Sequence, residues 1–257
     1  MAAPASPAPR APAPAMRSPE IPHETPARRH RGYLQLLAVC LLQMVLFTLP
    51  NPWNRLAAIG YVVLGLLMVQ VLGHPEADPA NSGVSRRLFR GVGLAALAVS
   101  LLWFLTPLEL RRTGLPVIGL WGLFSLWSSI RLMRCLALER IVNGAVLRGA
   151  LAGFLMLGLA GGLLCAALET ISPGSFSGVT LSPAAIPKAL PVWHLNFIRL
   201  HYYAFVTLTT TGYGDVTAET PQSQMLSVAI AVCGTFYLAS VLGVLISRYS
   251  AQQQSGA

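Results

Sequence analysis

Charge is what this sequence has least of. Charged residues make up 11% of its 257 positions, where a soluble domain carries about 25%. Lysine is nearly absent, with Lys188 alone against seventeen arginines. So bare a surface excludes an ordinary water-soluble globule, and the mean hydropathy of +0.60 points to lipid as the solvent. Cysteine is sparse and unpaired in pattern. Cys40, Cys135, Cys165 and Cys233 lie in or beside apolar runs with no CxxC among them. That reads as small buried residues rather than disulfides or thiolate metal ligands. The five histidines (His23, His30, His74, His194, His201) are scattered, with no carboxylate or nucleophile grouped beside them. No enzyme chemistry and no cofactor is expected. The net charge of +9 is not laid out as a basic stripe with interleaved aromatics, so no nucleic-acid partner is expected either. The first thirty-two residues, rich in Pro and Ala, lack the apolar core and small-residue cleavage site of a secretory signal. They read as a disordered cytoplasmic tail.

What the chain does have is long apolar runs. A bilayer core needs roughly 20 apolar residues in a helix. Six segments qualify or come close: Tyr33–Leu49, Leu56–Leu72, Leu88–Leu105, Leu115–Leu136, Ala145–Ala167 and Ser223–Tyr249. Backbone polar groups in lipid must be satisfied within the segment, so helices are expected. With the amino terminus inside, thirteen basic residues fall on the cytoplasmic side and five outside. That bias supports six spans with both ends cytoplasmic. The expected organisation is a tail over 1–32, a four-helix membrane domain over 33–140, a second domain over 141–250, and a short tail over 251–257. With eight residues after Tyr249, no regulatory domain is expected there.

The second domain holds the informative stretch. Glu169–Leu190 is rich in Pro, Ser and Gly and reads as an outer loop. Val192–Leu208 is aromatic and amphiphilic, too short to span, and fits a helix that dips partway into the membrane. Such a re-entrant segment must be covered by protein. Then comes Thr207–Asp215, "TLTTTGYGD". Gly212 and Gly214 permit backbone angles closed to other residues. Alternating them lets successive carbonyls point one way, giving a line of oxygens suited to a weakly hydrated cation. One line does not surround an ion, and the chain holds one GYG. The ring must therefore come from several copies, most simply in closed cyclic symmetry.

"TTTGYGD" resembles the selectivity-filter signature of potassium channels, TVGYG, with Thr211 in place of Val. The resemblance implies an all-α membrane protein. Six transmembrane helices, with a re-entrant pore helix and filter loop between the fifth and sixth, would assemble as a tetramer. It implies K+ as permeant ion, held by oxygens of Thr210, Thr211, Gly212 and Tyr213, with Gly214 at the outer mouth. It also implies support from Tyr202, Tyr203 and Asp215: Tyr202 hydrogen-bonding Asp215, and Tyr203 packing near Tyr213. The bland alternative for both tyrosines is interfacial anchoring. Some family members carry Glu eight residues before the second filter glycine. Here Val206 stands, which puts any gating built on that Glu in doubt. His201, inside the half-helix, is a cap, an interface group or a tuner of external pH response.

Gly234, twenty residues after Gly214, matches the hinge glycine of the family's inner helix. It either bends that helix or lets a neighbour approach closely. Leu242 and Ile246 would then form an apolar gate. The fourth span carries Arg131, Arg134 and Arg140, but at its cytoplasmic end, and the second and third spans contain no acidic partner. Strong voltage gating is not expected. The expected partners are K+, membrane lipid and three further copies of the chain. The competing reading is a non-conducting or regulatory membrane subunit with a channel-like pore.

Overall fold

The computed structural model describes residues 26–49, 56–73, 83–105, 114–139, 142–179 and 196–255. Their order is α1 (Pro26–Phe47), α2 (Leu56–Leu72), α3 (Gly83–Leu105), α4 (Leu115–Ala137), α5 (Gly144–Ile171), α6 (Phe197–Leu208), α7 (Pro221–Phe236), a π-helical turn (Tyr237–Leu242) and α8 (Gly243–Ser255). Among the described residues there is no strand, and one isolated antiparallel bridge joins Phe176 to Ala218. Helices occupy all six expected positions. Among the described residues, four segments are long and apolar enough to cross a membrane: His30–Phe47, Leu115–Ala137, Gly144–Ile171 and the continuous run Pro221–Gln252. The apolar α2 is shorter, at 17 residues.

Helical structure reaches into both segments expected as tails. Helix α1 begins at Pro26, so residues 26–32 belong to a helix rather than to the expected tail over 1–32. A Pro in the first turn gives up no intrahelical bond. At the other end α8 continues to Ser255, into the expected tail over 251–257. The expected polar turns fall largely at 50–55, 74–82 and 106–113, outside the described residues.

Local chemistry explains the helix starts around the pore-like half. The Asn143 side chain accepts from the N–H groups of Ala145 and Val146 at 3.0 and 3.2 Å, starting α5. Asn196 does the same for Arg199 at 3.1 Å, starting α6. Thr220 and Ser223 form a reciprocal capping box at α7, with Pro221 next to the cap. Each cap satisfies donors that a helix start leaves free.

Helix α5 is the central strut, with α1, α4 and α6 packed along it. Its glycines serve as sockets. An added Cβ at Gly153 would lie 2.5 Å from the Tyr237 hydroxyl, and one at Gly158 would lie 2.2 Å from the Phe205 ring. The first four helices are tied by buried polar bonds. Gln43 donates to the Ala57 carbonyl at 3.0 Å, and the Trp121 indole donates to Ser100 at 2.6 Å. Arg131 is buried to 1% exposure; its Nε donates to the Leu72 carbonyl at 2.8 Å, and its guanidinium sits 4.7 Å from the Phe89 ring. A cation at the carbonyl end of α2 is well placed against that helix's dipole. Arg131 thus joins α2, α3 and α4, whereas Arg134 is exposed. Arg140 lies outside the described residues.

Candidate functional site

The segment from Thr209 to Asp215 follows the twelve-residue helix α6 and precedes α7. Its backbone alternates in hand. Thr210, Gly212 and Gly214 have φ of 57°, 59° and 78°, while Thr211 and Tyr213 between them do not have positive φ. For the glycines this region is free of steric cost. For Thr210 it costs about 1–2 kcal/mol, so the surroundings must hold it there. Hypothetical Cβ atoms at Gly212 and Gly214 would meet nothing within 4 Å. These positions therefore require glycine for its φ, not for space.

The holding bonds run back to α6. Thr210 N–H donates to the Thr207 carbonyl at 3.0 Å. Thr211 and Gly212 both donate to the Val206 carbonyl, at 2.9 and 3.5 Å. In a trans peptide the N–H and the preceding C=O point opposite ways. With the N–H groups of residues 210–212 turned onto α6, the carbonyls of Thr209, Thr210 and Thr211 face away from it. A row of oxygens on the open side of the loop follows.

Hydroxyls add a second set of ties. Thr209 Oγ1 donates to the Phe205 carbonyl at 2.8 Å and lies 2.9 Å from Thr211 Oγ1. Thr211, the one departure from the resembling signature, is thereby bonded to its neighbour-but-one rather than merely packed.

The outer end is braced differently. The Tyr202 hydroxyl donates to Asp215 Oδ1 at 3.2 Å, and its ring stacks on Tyr213 with centroids 6.4 Å apart and planes 3° from parallel. Arg199 Nη2 stands 3.8 Å from Asp215 Oδ2, a solvated pair worth little by itself. The sequence reading placed Tyr203 beside Tyr213. Within one chain it is Tyr202 that stacks there. The Tyr203 hydroxyl bonds instead to Ser227 of α7, and its ring meets Phe176 edge-on at 5.1 Å.

The approach from α5 forms a frame around this loop, which the sequence reading did not single out. Glu169, 1% exposed, accepts from the N–H of Gly174 at 2.8 Å and of Phe176 at 3.0 Å. The turn so fixed runs beside residues 215–219. Ser177 N–H donates to the Thr217 carbonyl at 2.9 Å, and Glu219 N–H donates to the Ser175 carbonyl at 2.8 Å. A helix-terminal Glu followed by a Gly-Ser-rich turn was the available signal.

Below the loop, Gly234 faces the end of α6. A Cβ there would come within 2.0 Å of the Leu208 carbonyl oxygen. Gly234 has a close-packing role in this structure, and the helix departs from α geometry three residues later. In the π turn, Gly243 N–H bonds the Leu238 carbonyl five residues back. Tyr237, at the start of that turn, is buried and donates its hydroxyl to the Ala150 carbonyl at 2.5 Å. Leu242 is half-buried and Ile246 exposed in the single chain. His201, a candidate for sensing external pH, is instead 2% exposed and faces α2.

The loop itself is open. Residues 209–215 are exposed in the single chain, Tyr213 to 70%. So is much of the apolar α7–α8 surface, including Met225, Val228, Val232, Phe236, Leu238, Val244 and Ile246. Among the described residues no group of His, Cys, Asp and Glu could hold a metal ion.

Residues 176–251 match the model of a protein family described as ion channel. No curated protein matches the chain. The matched segment takes in α6, the alternating loop, α7, the π turn and most of α8. The match and the apolar helices together support an ion-transporting membrane protein.

Proposed function

We propose that the chain is one subunit of a potassium-selective channel whose filter is the loop Thr210–Gly214. The observation that carries this is the backbone of residues 209–212. The N–H groups of Thr210, Thr211 and Gly212 are spent on α6, which leaves the carbonyls of Thr209, Thr210 and Thr211 facing away from it, and the alternating φ through Gly214 supports continuing that row over Gly212 and Tyr213. Such oxygens replace water around a weakly hydrated cation, and ions in adjacent sites repel one another onward. Thr210, Thr211, Gly212 and Tyr213 supply the oxygens, and Gly214 forms the outer mouth. The carbonyl end of α6 adds a partial negative charge below them.

Three further copies complete the ring. In support, the loop and the apolar α7–α8 surface are uncovered in the single chain, an arrangement that fits burial against neighbours of the same kind. In the assembly, α1 to α5 and the run α7–α8 span the cell membrane six times, with both termini cytoplasmic. Leu242 and Ile246 line a cytoplasmic apolar constriction. The π turn that ends at Leu242 is the natural place for the helix to bend, since it already breaks the α ladder. Gating is not strongly voltage-dependent. Arg131 is bound to a helix end and a ring, and a charge held so is a poor voltage sensor.

The test is flux from liposomes carrying the full chain with an outward potassium gradient. The expected result is potassium efflux that sodium does not replace and that Gly212→Ala abolishes. Alanine at φ 59° costs about 1–2 kcal/mol per subunit in the wrong backbone region. Equal sodium flux refutes the selectivity. No flux at all leaves the chain a non-conducting subunit.

A further inference from the structure

His201 sits in the middle of α6, next to the Tyr202 that stacks on Tyr213 and bonds Asp215. It is buried, and both ring nitrogens are engaged. Nδ1 lies 2.7 Å from the Phe197 carbonyl, which only accepts, so Nδ1 carries the proton. In the neutral ring Nε2 is then an acceptor, and the Tyr61 hydroxyl donates to it at 2.5 Å. Tyr61 belongs to α2, 140 residues away. Phe47 of α1 lies 4.7 Å from the imidazole. Gly162 of α5 leaves the space the ring fills, since a Cβ there would come within 2.3 Å of it. Helices α1, α2 and α5 thus close on one side chain of the helix that carries the loop.

We propose that Tyr61 and His201 are positioning residues for ion selection, a proposal that rests on the filter reading above. Most of the buried face of α6 is apolar: Leu200, Ala204 and Leu208 pack without direction. Directional bonds fix its rotation, and among the described residues two come from other helices. Tyr203 bonds α7, and His201 bonds α2. A 10° turn of α6 moves a ring lying about 6 Å from the axis by about 1 Å. That is enough to unstack Tyr202 from Tyr213 and lengthen the bond to Asp215. The Tyr61–His201 bond therefore holds the loop's outer brace in place, and it carries displacement of α2 to the loop.

The test uses the full chain in lipid, with two readouts: hydrogen exchange of peptides covering residues 206–215, and the potassium-to-sodium permeability ratio. Tyr61→Phe removes one hydroxyl and keeps the ring. It is expected to speed exchange at 206–215 by about tenfold and to lower the permeability ratio. Combining it with His201→Gln is expected to add less than the two effects separately, as residues in one bond do. Phe47→Leu, which keeps the bond, serves as the packing control and is expected to affect the loop less at equal loss of thermal stability. The proposal is overturned if Tyr61→Phe changes exchange in α2 alone, or if Phe47→Leu loosens the loop as much. Failure of the filter reading shows separately, as a wild-type chain that does not prefer potassium. The exchange experiment still decides positioning in that case.

Discussion

Gly234→Ala separates two roles for the glycine that the sequence alone leaves open. If Gly234 were only a bending point, alanine would stiffen α7 and stabilise it by about 0.8–1 kcal/mol, the usual helix-propensity difference. The structure opposes this with a contact. The new Cβ would lie 2.0 Å from the Leu208 carbonyl oxygen, 2.9 Å from its carbon and 3.0 Å from Cδ1. Two of these partners are backbone, so no rotamer change relieves them. Real Cβ contacts do not fall below 3.0 Å, so α6 and α7 must part by about 1 Å. Overpacking of this kind costs about 1–3 kcal/mol, which exceeds the propensity gain. The net expectation is a loss of up to about 2 kcal/mol per subunit. The displaced residue, Leu208, immediately precedes Thr209, so the loop moves with it. Thermal unfolding of the purified assembly in lipid, read with the potassium-to-sodium permeability ratio, checks both effects. The reasoning is refuted if Gly234→Ala melts at or above the wild-type temperature with its selectivity intact. A change confined to opening probability would then restore the hinge.

Other perturbations follow from single bonds. Glu169→Gln keeps the shape but loses one of two acceptor oxygens serving Gly174 and Phe176, so thermal stability should fall by about 1–3 kcal/mol. Tyr202→Phe removes the bond to Asp215 while keeping the stack on Tyr213; single-channel records should show shorter openings, and unchanged openings would discount that bond. Thr211→Val deletes the tie to Thr209 at a cost of about 0.5–1.5 kcal/mol, and potassium preference should survive because the backbone carbonyl is untouched. Tyr237→Phe frees the start of the π turn from Ala150 and should shift the open–closed balance without altering selectivity.

The fold was legible where one residue's neighbours along the chain decide its state. Six apolar runs gave six helices, and Asn143, Asn196 and Thr220 mark starts by a local bond. The first turn of α1 was missed because Arg28, Arg29 and Arg31 break hydropathy without breaking a helix. In the site, the TTTGYGD string led to the alternating loop, and the pairing of Tyr202 with Asp215 followed from the resemblance to potassium channels rather than from the residues alone. What was not readable depends on contacts across the fold. Tyr203 turns to Ser227 because α7 passes beside it. His201 looks like a polar residue near an outer surface until α2 brings Tyr61 against it. Gly234 and Leu208 meet only once α6 and α7 are packed. The π turn has no marker in composition, since "YLASVL" is an ordinary apolar helical stretch.

The central claim is that backbone oxygens of Thr210–Tyr213 select potassium. Its most direct test is the reversal potential of single channels formed by the full chain, with potassium on one side of a bilayer and sodium on the other. The account predicts a potential displaced strongly toward the potassium equilibrium value, with Gly212→Ala abolishing the current. A reversal potential near zero, with sodium carrying current as readily as potassium, would contradict it.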